Sequence, residues 1–329
     1  MKKIAINGMG RIGRTALKII MDTPELELVA VNDIAPVDNI AYLIKYDSVH
    51  GTFPKDISVG DGKLTVGDKE VLFLNEKDPS QLPWGDLNVE IVIESTGLFT
   101  SEEDASKHIT AGAKTVVLSG PTKSPDVPTV VHGVNTDDGK TSIFSCASCT
   151  TNNISPVIEI IGRRIGIKKA IMTTIHADTA SNKTVDLPSK KDFRMGRSGL
   201  NNIIPTTTGA AKATAKAMPQ YVGKFDGMAV RIPLAVGSLS DITIVTDRET
   251  TVEEVNQILE EEAATGRYQD VFKATYEQLV STDIIKSSYA SIADLSMTKV
   301  VDGDLLKVLT WYDNEWGFTN QMIRQILEL

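Results

Sequence analysis

The chain has 329 residues, 41% hydrophobic and 23% charged, a balance that supports folded cores and excludes a disordered polypeptide. Its formal charge of −9 excludes general attraction to nucleic acid or anionic membranes, and no apolar run approaches the roughly 20 residues that cross a bilayer. Two cysteines and four histidines supply no disulfide framework and too few thiols for a cysteine zinc site, so no metal is expected.

This length predicts two domains of ordinary size, packed closely because no long Pro/Gly/Ser linker interrupts the chain. The basic start, Met1-Lys2-Lys3, precedes an apolar segment too short for a signal peptide, and with so few cysteines a cytoplasmic location is expected.

Lys3-Ile4-Ala5-Ile6-Asn7 reads as a buried strand running into Gly8-Met9-Gly10-Arg11-Ile12-Gly13, followed by a helical pattern at Ile12, Ala16, Leu17, Ile19 and Ile20. Strand, G-x-G-x-x-G and helix in that order predict a dinucleotide site: Gly8, Gly10 and Gly13 allow the tight turn, and the N–H groups around Arg11 and Ile12 face the pyrophosphate. A second strand, Glu27 to Asn32, ends at Asp33, placed to bind the adenosine ribose hydroxyls. A carboxylate there repels a 2′-phosphate, so NAD is expected over NADP.

Leu64-Thr65-Val66 and Glu70 to Leu74, flanking Gly67-Asp68, predict a hairpin inserted in the sheet. Val89 to Ile93 leads into Glu94-Ser95-Thr96-Gly97, and Thr115 to Leu118 into Ser119-Gly120-Pro121. Both are polar strand ends of the kind at which open α/β sheets bind ligands. Ser101-Glu102-Glu103-Asp104 predicts a helix start leading towards His108.

Ser142-Ile143-Phe144 reads as a strand end, and Ile154, Val157, Ile158, Ile161 and Ile165 as a helix, so Cys149 falls at a helix N-terminus with Ser148 as its cap. Free N–H groups and the positive end of the helix dipole favour a thiolate there and could stabilise an oxyanion on an attacked carbonyl. A buried structural thiol is the alternative. Ala170 to Ile175 predicts a strand ending on His176, a candidate base for that thiol. His50, His108 and His132 are expected to be surface or structural.

Asn202-Ile203-Ile204-Pro205-Thr206-Thr207-Thr208-Gly209-Ala210-Ala211-Lys212 reads as a threonine run opening a helix, and Trp311-Tyr312-Asp313-Asn314-Glu315-Trp316-Gly317 lies near the C-terminus. With Asn7 to Arg14, Ala147 to Asn152 and the loop Lys183 to Asp192, these motifs closely resemble those of phosphorylating glyceraldehyde-3-phosphate dehydrogenases along essentially the whole chain. The resemblance implies an α/β fold: a Rossmann doubly wound parallel sheet (residues 1–148), an α+β catalytic domain with a mainly antiparallel sheet (149–313), and a C-terminal helix returning to the first domain (314–329). It implies a homotetramer in which the loop near residues 178–202 approaches a neighbour's cofactor.

By the same resemblance Cys149 attacks the aldehyde, His176 acts as base, hydride passes to NAD, and inorganic phosphate resolves the thioester. Thr179 and Arg231 would hold the substrate's phosphate; Ser148, Thr150, Thr208 and Gly209 would bind the attacking phosphate; Asn314 would orient the nicotinamide carboxamide. Ser95, Thr96, Gly97 and Ser119 would line the cofactor site. The implied partners are an aldehyde phosphate and inorganic phosphate.

The chain departs from the family pattern at several positions. Cys146 stands where asparagine is usual and creates a C-x-x-C with the nucleophile, for which a neutral replacement is expected over a disulfide. Asn153 stands where a second cysteine is common, Phe318 replaces a tyrosine, and Leu234-Ala235-Val236-Gly237 is unusual. Asp178 occupies a normally uncharged position; turned inward, it would stabilise protonated His176 and repel the substrate phosphate. The competing functions are a hydrolytic erythrose-4-phosphate dehydrogenase, a cysteine acyl hydrolase with an inert nucleotide module, and an inactive binding protein.

Overall fold

The computed structural model describes residues 1–136, 141–190 and 192–329; Lys191, in the loop quoted above, lies outside them. The chain divides into two compact units. One comprises Met1–Val130, Thr136–Ala147 and Met322–Leu329; the other comprises Val131–Asn135 and Ser148–Gln321.

The first unit is built on β1 (Lys2–Asn7), α1 (Arg11–Met21), β2 (Leu26–Asn32), α2 (Val37–Lys45), β3 (Ile57–Gly60), β4 (Lys63–Val66), β5 (Lys69–Leu74), β6 (Ile91–Glu94), α3 (Glu102–Thr110), β7 (Thr115–Leu118) and β8 (Ile143–Ser145). Its strands run β3-β4-β5-β2-β1-β6-β7-β8. The six strands β5-β2-β1-β6-β7-β8 are parallel, while β4–β5 is the antiparallel hairpin expected and β3 pairs antiparallel on β4 as a further edge strand. β1 reads as a continuous apolar run because Ile4, Ala5 and Ile6 are fully buried, as parallel strands covered on both faces require. The order reverses beside β1, the switch point at which such sheets open a ligand crevice. Ser101 caps α3 by accepting from Asp104 N at 3.1 Å.

The second unit begins with α4 (Cys149–Arg164) and continues through β9 (Ile167–Ala177), β10 (Ile204–Thr207), α5 (Ala210–Ala217), β11 (Phe225–Ile232), β12 (Ser238–Thr246), α6 (Val252–Ala263), β13 (Phe272–Thr275), β14 (Ser291–Asp294), β15 (Lys299–Val301) and β16 (Leu305–Tyr312). Its sheet runs β10-β11-β9-β12-β16-β14-β13, with β15 on β16, and is antiparallel except at β11–β9 and β13–β14. Ile154, Val157, Ile158 and Ile161 of α4 form one core with Val255 and Leu259 of α6 and with Ile242, Ile244, Leu306 and Val308 of the sheet. The opposite sheet face leaves Ile171, Met228 and Leu305 exposed. The final helix, α7 (Trp316–Glu328), begins in this unit, and its last turns belong to the first, where Lys2 Nζ donates to the carbonyls of Ile326 and Leu327. No described helix is long and apolar enough to cross a membrane.

Candidate active site

In the first unit, Gly8 adopts φ +97°, and a Cβ there would lie 2.7 Å from Thr96 N. A Cβ on Gly13 would lie 2.0 Å from Gly8 O, so the turn and the close approach of α1 both demand glycine. A Cβ on Gly10 would meet nothing, and Gly10 brings no side-chain cap to α1. The first N–H groups of that helix therefore open towards a cavity of about 490 Å³ lined by Gly8, Gly10, Asp33, Ser95 and Thr96, with Asn7, Asn32, Ile34, Glu76, Lys77, Leu98 and Phe99. The cradle fits a dinucleotide: bare helix-start N–H groups for the pyrophosphate and a carboxylate at the next strand end.

Asp33 is half-buried, with Met9 N donating to Oδ2 at 2.6 Å and Ala35 N to Oδ1 at 2.8 Å, so its carboxylate is held in place. Arg11 turns its guanidinium to Asp47 at 2.9 Å, and so Arg11 and Ile12 present backbone to the crevice. The Ser95 hydroxyl donates to Gly8 O at 2.7 Å and braces the glycine turn. Gly97 follows at φ +73°, and Ser119 N donates to Glu94 O at 3.0 Å.

Beneath this cavity runs a buried relay that motif reading misses. Trp84 Nε1, which can only donate, lies 3.0 Å from His108 Nδ1, so the ring's proton sits on Nε2, 3.1 Å from Glu94 Oε2. Glu94 also accepts from Asn7 Nδ2 at 2.6 Å and from the Thr96 N–H and hydroxyl. Asn32 Nδ2 donates to Asn7 Oδ1 at 2.7 Å. His108 and Glu94 are thus structural supports for the pocket wall. His108 is fully buried, and nothing in the residues beside it in the sequence signals that. His50 is likewise buried, 3.8 Å from Asp47, and His132 is half-buried.

In the second unit Cys149 is the first residue of α4, and Ser148 caps the helix by accepting from Thr151 N at 3.1 Å. Cys149 Sγ lies 3.4 Å from His176 Nε2. His176, the penultimate residue of β9, is buried, edge-on to Tyr312 with ring centroids 6.0 Å apart. Its register partner on β11 is Arg231, whose Nη1 reaches His176 Nδ1 at 2.6 Å and donates to Ala177 O at 3.0 Å. Nδ1 also lies 2.7 Å from Ala177 O, so the ring has a partner in either neutral tautomer: guanidinium for the Nδ1 lone pair, carbonyl for an Nδ1–H.

Burial, and then the Arg231 charge, push the imidazole down to about 4, so the ring is neutral at physiological pH. The thiol behaves otherwise than its helix position predicts. Burial pushes it up, outweighing the pull of the Thr150 hydroxyl and N–H and of Arg231. The helix start alone therefore does not make Cys149 a resting thiolate. Cys146 is fully enclosed and pushed up by burial, as a structural thiol is, and follows Ser145 into an Ala147 held at φ +61°.

Thr150 Oγ1 and Thr174 Oγ1 share the Tyr312 hydroxyl at 2.9 and 2.7 Å, a buried brace under Cys149 and His176. Asn314 Oδ1 accepts from Gly237 N at 3.2 Å and Ser238 Oγ at 3.0 Å, and Ser238 Oγ accepts from Ala177 N, so Asn314 is tied to the histidine's strand. Thr179 is exposed, its hydroxyl 2.9 Å from Ser181 Oγ. The threonine run is not one element. Thr206 and Thr207 end β10, Thr208 Oγ1 accepts from Ala210 N at 3.2 Å, and Gly209 is the N-cap residue of α5. The β11 pairing claims the first two threonines because an edge strand satisfies their backbone groups before the helix can. Asn153 is buried and bonded to Thr310, Ser291 and Trp311 O, and Phe318 is buried.

A dinucleotide cradle in one unit and a helix-start thiol against a buried imidazole in the other are the marks of an NAD-dependent dehydrogenase. Residues 2–102 match the glyceraldehyde 3-phosphate dehydrogenase NAD binding domain, and residues 148–314 match the C-terminal domain of the same enzyme family. Glyceraldehyde-3-phosphate dehydrogenase of Thermotoga maritima is 46% identical over 98% of this chain and 97% of its own. Those of Clostridium pasteurianum and Geobacillus stearothermophilus are each 44% identical, over 99% and 98% of this chain and 98% and 96% of their own. The chain belongs to the glyceraldehyde-3-phosphate dehydrogenase family.

Proposed function

We propose that the protein converts glyceraldehyde 3-phosphate, NAD and inorganic phosphate to 1,3-bisphosphoglycerate and NADH, with residues 1–148 binding the cofactor, 149–313 carrying the chemistry and 314–329 returning to the first domain. The observation that carries this is the 3.4 Å approach of Cys149 Sγ to His176 Nε2 in a chain of this family.

Catalysis starts with proton transfer. Once Arg231 has left Nδ1, the ring carries Nδ1–H on Ala177 O, and His176 offers its Nε2 lone pair to the thiol and takes the proton as sulfur attacks the aldehyde carbon. The first N–H groups of α4 face the oxyanion that develops. Arg231 beside the ring opposes the imidazolium. A substrate phosphate that draws the guanidinium onto itself, with Thr179, removes that opposition and couples binding to thiol activation. Bound NAD, its carboxamide oriented by Asn314, supplies the hydride acceptor. His176 returns the thiol proton to the oxyanion, giving the thiohemiacetal hydroxyl on Cys149, and takes it back as the thiohemiacetal becomes a thioester. Ser148, Thr150, Thr208 and Gly209 supply the hydroxyls and helix-start N–H groups that hold the attacking phosphate, with no large positive charge required.

The family's commonly tetrameric assembly extends to this chain, supported by Ile171, Met228 and Leu305 on the uncovered sheet face and by Leu187, Phe193 and Leu200 on the 178–202 loop, all exposed. A cytoplasmic location accompanies it. The test is NADH formation from glyceraldehyde 3-phosphate with and without phosphate, beside Cys149→Ser. Turnover should require both phosphate and Cys149. Phosphate-independent turnover with erythrose 4-phosphate preferred would reassign the reaction to hydrolysis.

A further inference from the structure

We infer that Asp178 sets how sharply this enzyme distinguishes phosphorylated from unphosphorylated aldehydes, by holding an unpaired carboxylate beside the arginine that grips the substrate phosphate. The inference rests on the reading of Arg231 given above. β9 and β11 end in register, His176 opposite Arg231 and Ala177 opposite Ile232. The guanidinium donates to Ala177 O at 3.0 Å and so lies against the peptide that joins Ala177 to Asp178. Asp178 N donates to Leu234 O at 2.8 Å, which pins the Asp178 backbone at the end of the strand.

The carboxylate is wedged against the folded-back loop. A Cβ on Gly199 would come within 2.4 Å of Oδ2 and 2.8 Å of Oδ1, so only glycine leaves room for it there. Gly199 is itself held by its N–H on Lys183 O at 2.7 Å. Among the described residues Asp178 Oδ1 is buried without a hydrogen-bond donor. Arg231 nevertheless acts on it electrostatically, opposing the upward push of burial.

His176 is neutral, so an ionised Asp178 offsets the positive charge of Arg231 at this strand end. A phosphate dianion arriving at Arg231 is therefore repelled by Asp178, whereas an uncharged aldehyde end is indifferent to it. One unit charge several ångströms away in a partly solvated setting changes dianion binding by about three- to tenfold.

Asp178→Asn keeps the shape of the side chain and removes its charge. Steady-state kinetics would compare glyceraldehyde 3-phosphate with unphosphorylated glyceraldehyde, at fixed NAD and inorganic phosphate, for wild type, Asp178→Asn, Asp178→Ser and Arg231→Leu. The KM for glyceraldehyde 3-phosphate should fall about three- to tenfold in Asp178→Asn. The KM values for glyceraldehyde and NAD should stay within about twofold, a charge-selective split that a purely structural role does not produce. Asp178→Ser serves if the asparagine variant does not fold. If Arg231→Leu raises the KM for the phosphorylated aldehyde alone but the Asp178 variants leave the ratio between the two aldehydes unchanged, the inference is wrong and the reading of Arg231 stands. If Arg231→Leu leaves both KM values unchanged, that reading fails and the inference falls with it.

Discussion

Replacing His108 with leucine removes the middle of the relay under the dinucleotide cavity. In the wild type its two ring nitrogens lie 3.0 Å from Trp84 Nε1 and 3.1 Å from Glu94 Oε2, and all three residues are essentially without solvent. Leucine deletes a hydrogen bond to a charged acceptor, worth about 1.5–3 kcal/mol, and strands the indole N–H in the interior at about 1–3 kcal/mol, for a total of roughly 3–5 kcal/mol. Trp84→Phe removes the stranded donor, so the double variant should recover about 1–3 kcal/mol relative to the sum of the singles. Hydrogen exchange of β1, β6 and β7 amides reads the stability of this unit separately from the other. NAD affinity should fall in parallel, because Glu94 holds the Thr96 backbone that lines the cavity. A loss below about 1 kcal/mol, or additivity within about 0.5 kcal/mol, would refute the relay.

Other expectations are equally direct. Gly13→Ala places a methyl 2.0 Å from Gly8 O and should abolish NAD binding measured by titration while the second unit keeps its melting transition; near-normal affinity would contradict the cradle. Tyr312→Phe leaves the buried Thr150 and Thr174 hydroxyls without their shared partner and should cost about 2–4 kcal/mol on thermal unfolding; a loss under about 0.5 kcal/mol would mean the brace is not stabilising. Ser148→Ala removes the α4 cap and should cost about 1 kcal/mol by denaturant titration.

The pH dependence follows from His176, which titrates at about 4 when folded against an ordinary 6.5. Between those values the unfolded chain binds the extra proton. Stability from this group is therefore complete above 6.5 and lost as pH falls towards 4, about 3 kcal/mol in all. A ring-proton NMR titration of the ligand-free enzyme with its midpoint at or above 6.5 would overturn the neutral, Arg231-opposed imidazole.

Signals carried by neighbours in the chain were legible at once. The glycine turn, the Ser148 and Ser101 caps, the hairpin and the buried run of β1 are each decided within a few residues, by backbone sterics, free N–H groups and side-chain alternation, and these operate before any tertiary contact forms. Cys149 and His176 could be named as candidates because each sits at an element end, where a side chain has room to do chemistry. Their meeting at 3.4 Å across 27 residues of sequence is a product of the sheet. So is Arg231, delivered to the ring by a neighbouring strand. The same holds for ionisation: the helix start predicted a ready thiolate, but burial, a sum over everything packed around the sulfur, reverses the sign. His108 shows the limit most clearly, since nothing local distinguishes a surface histidine from one whose two nitrogens are spoken for by Trp84 and Glu94. Local rules set where elements begin and end; only the packed chain sets distance and dielectric, and on those two quantities the chemistry of this site depends.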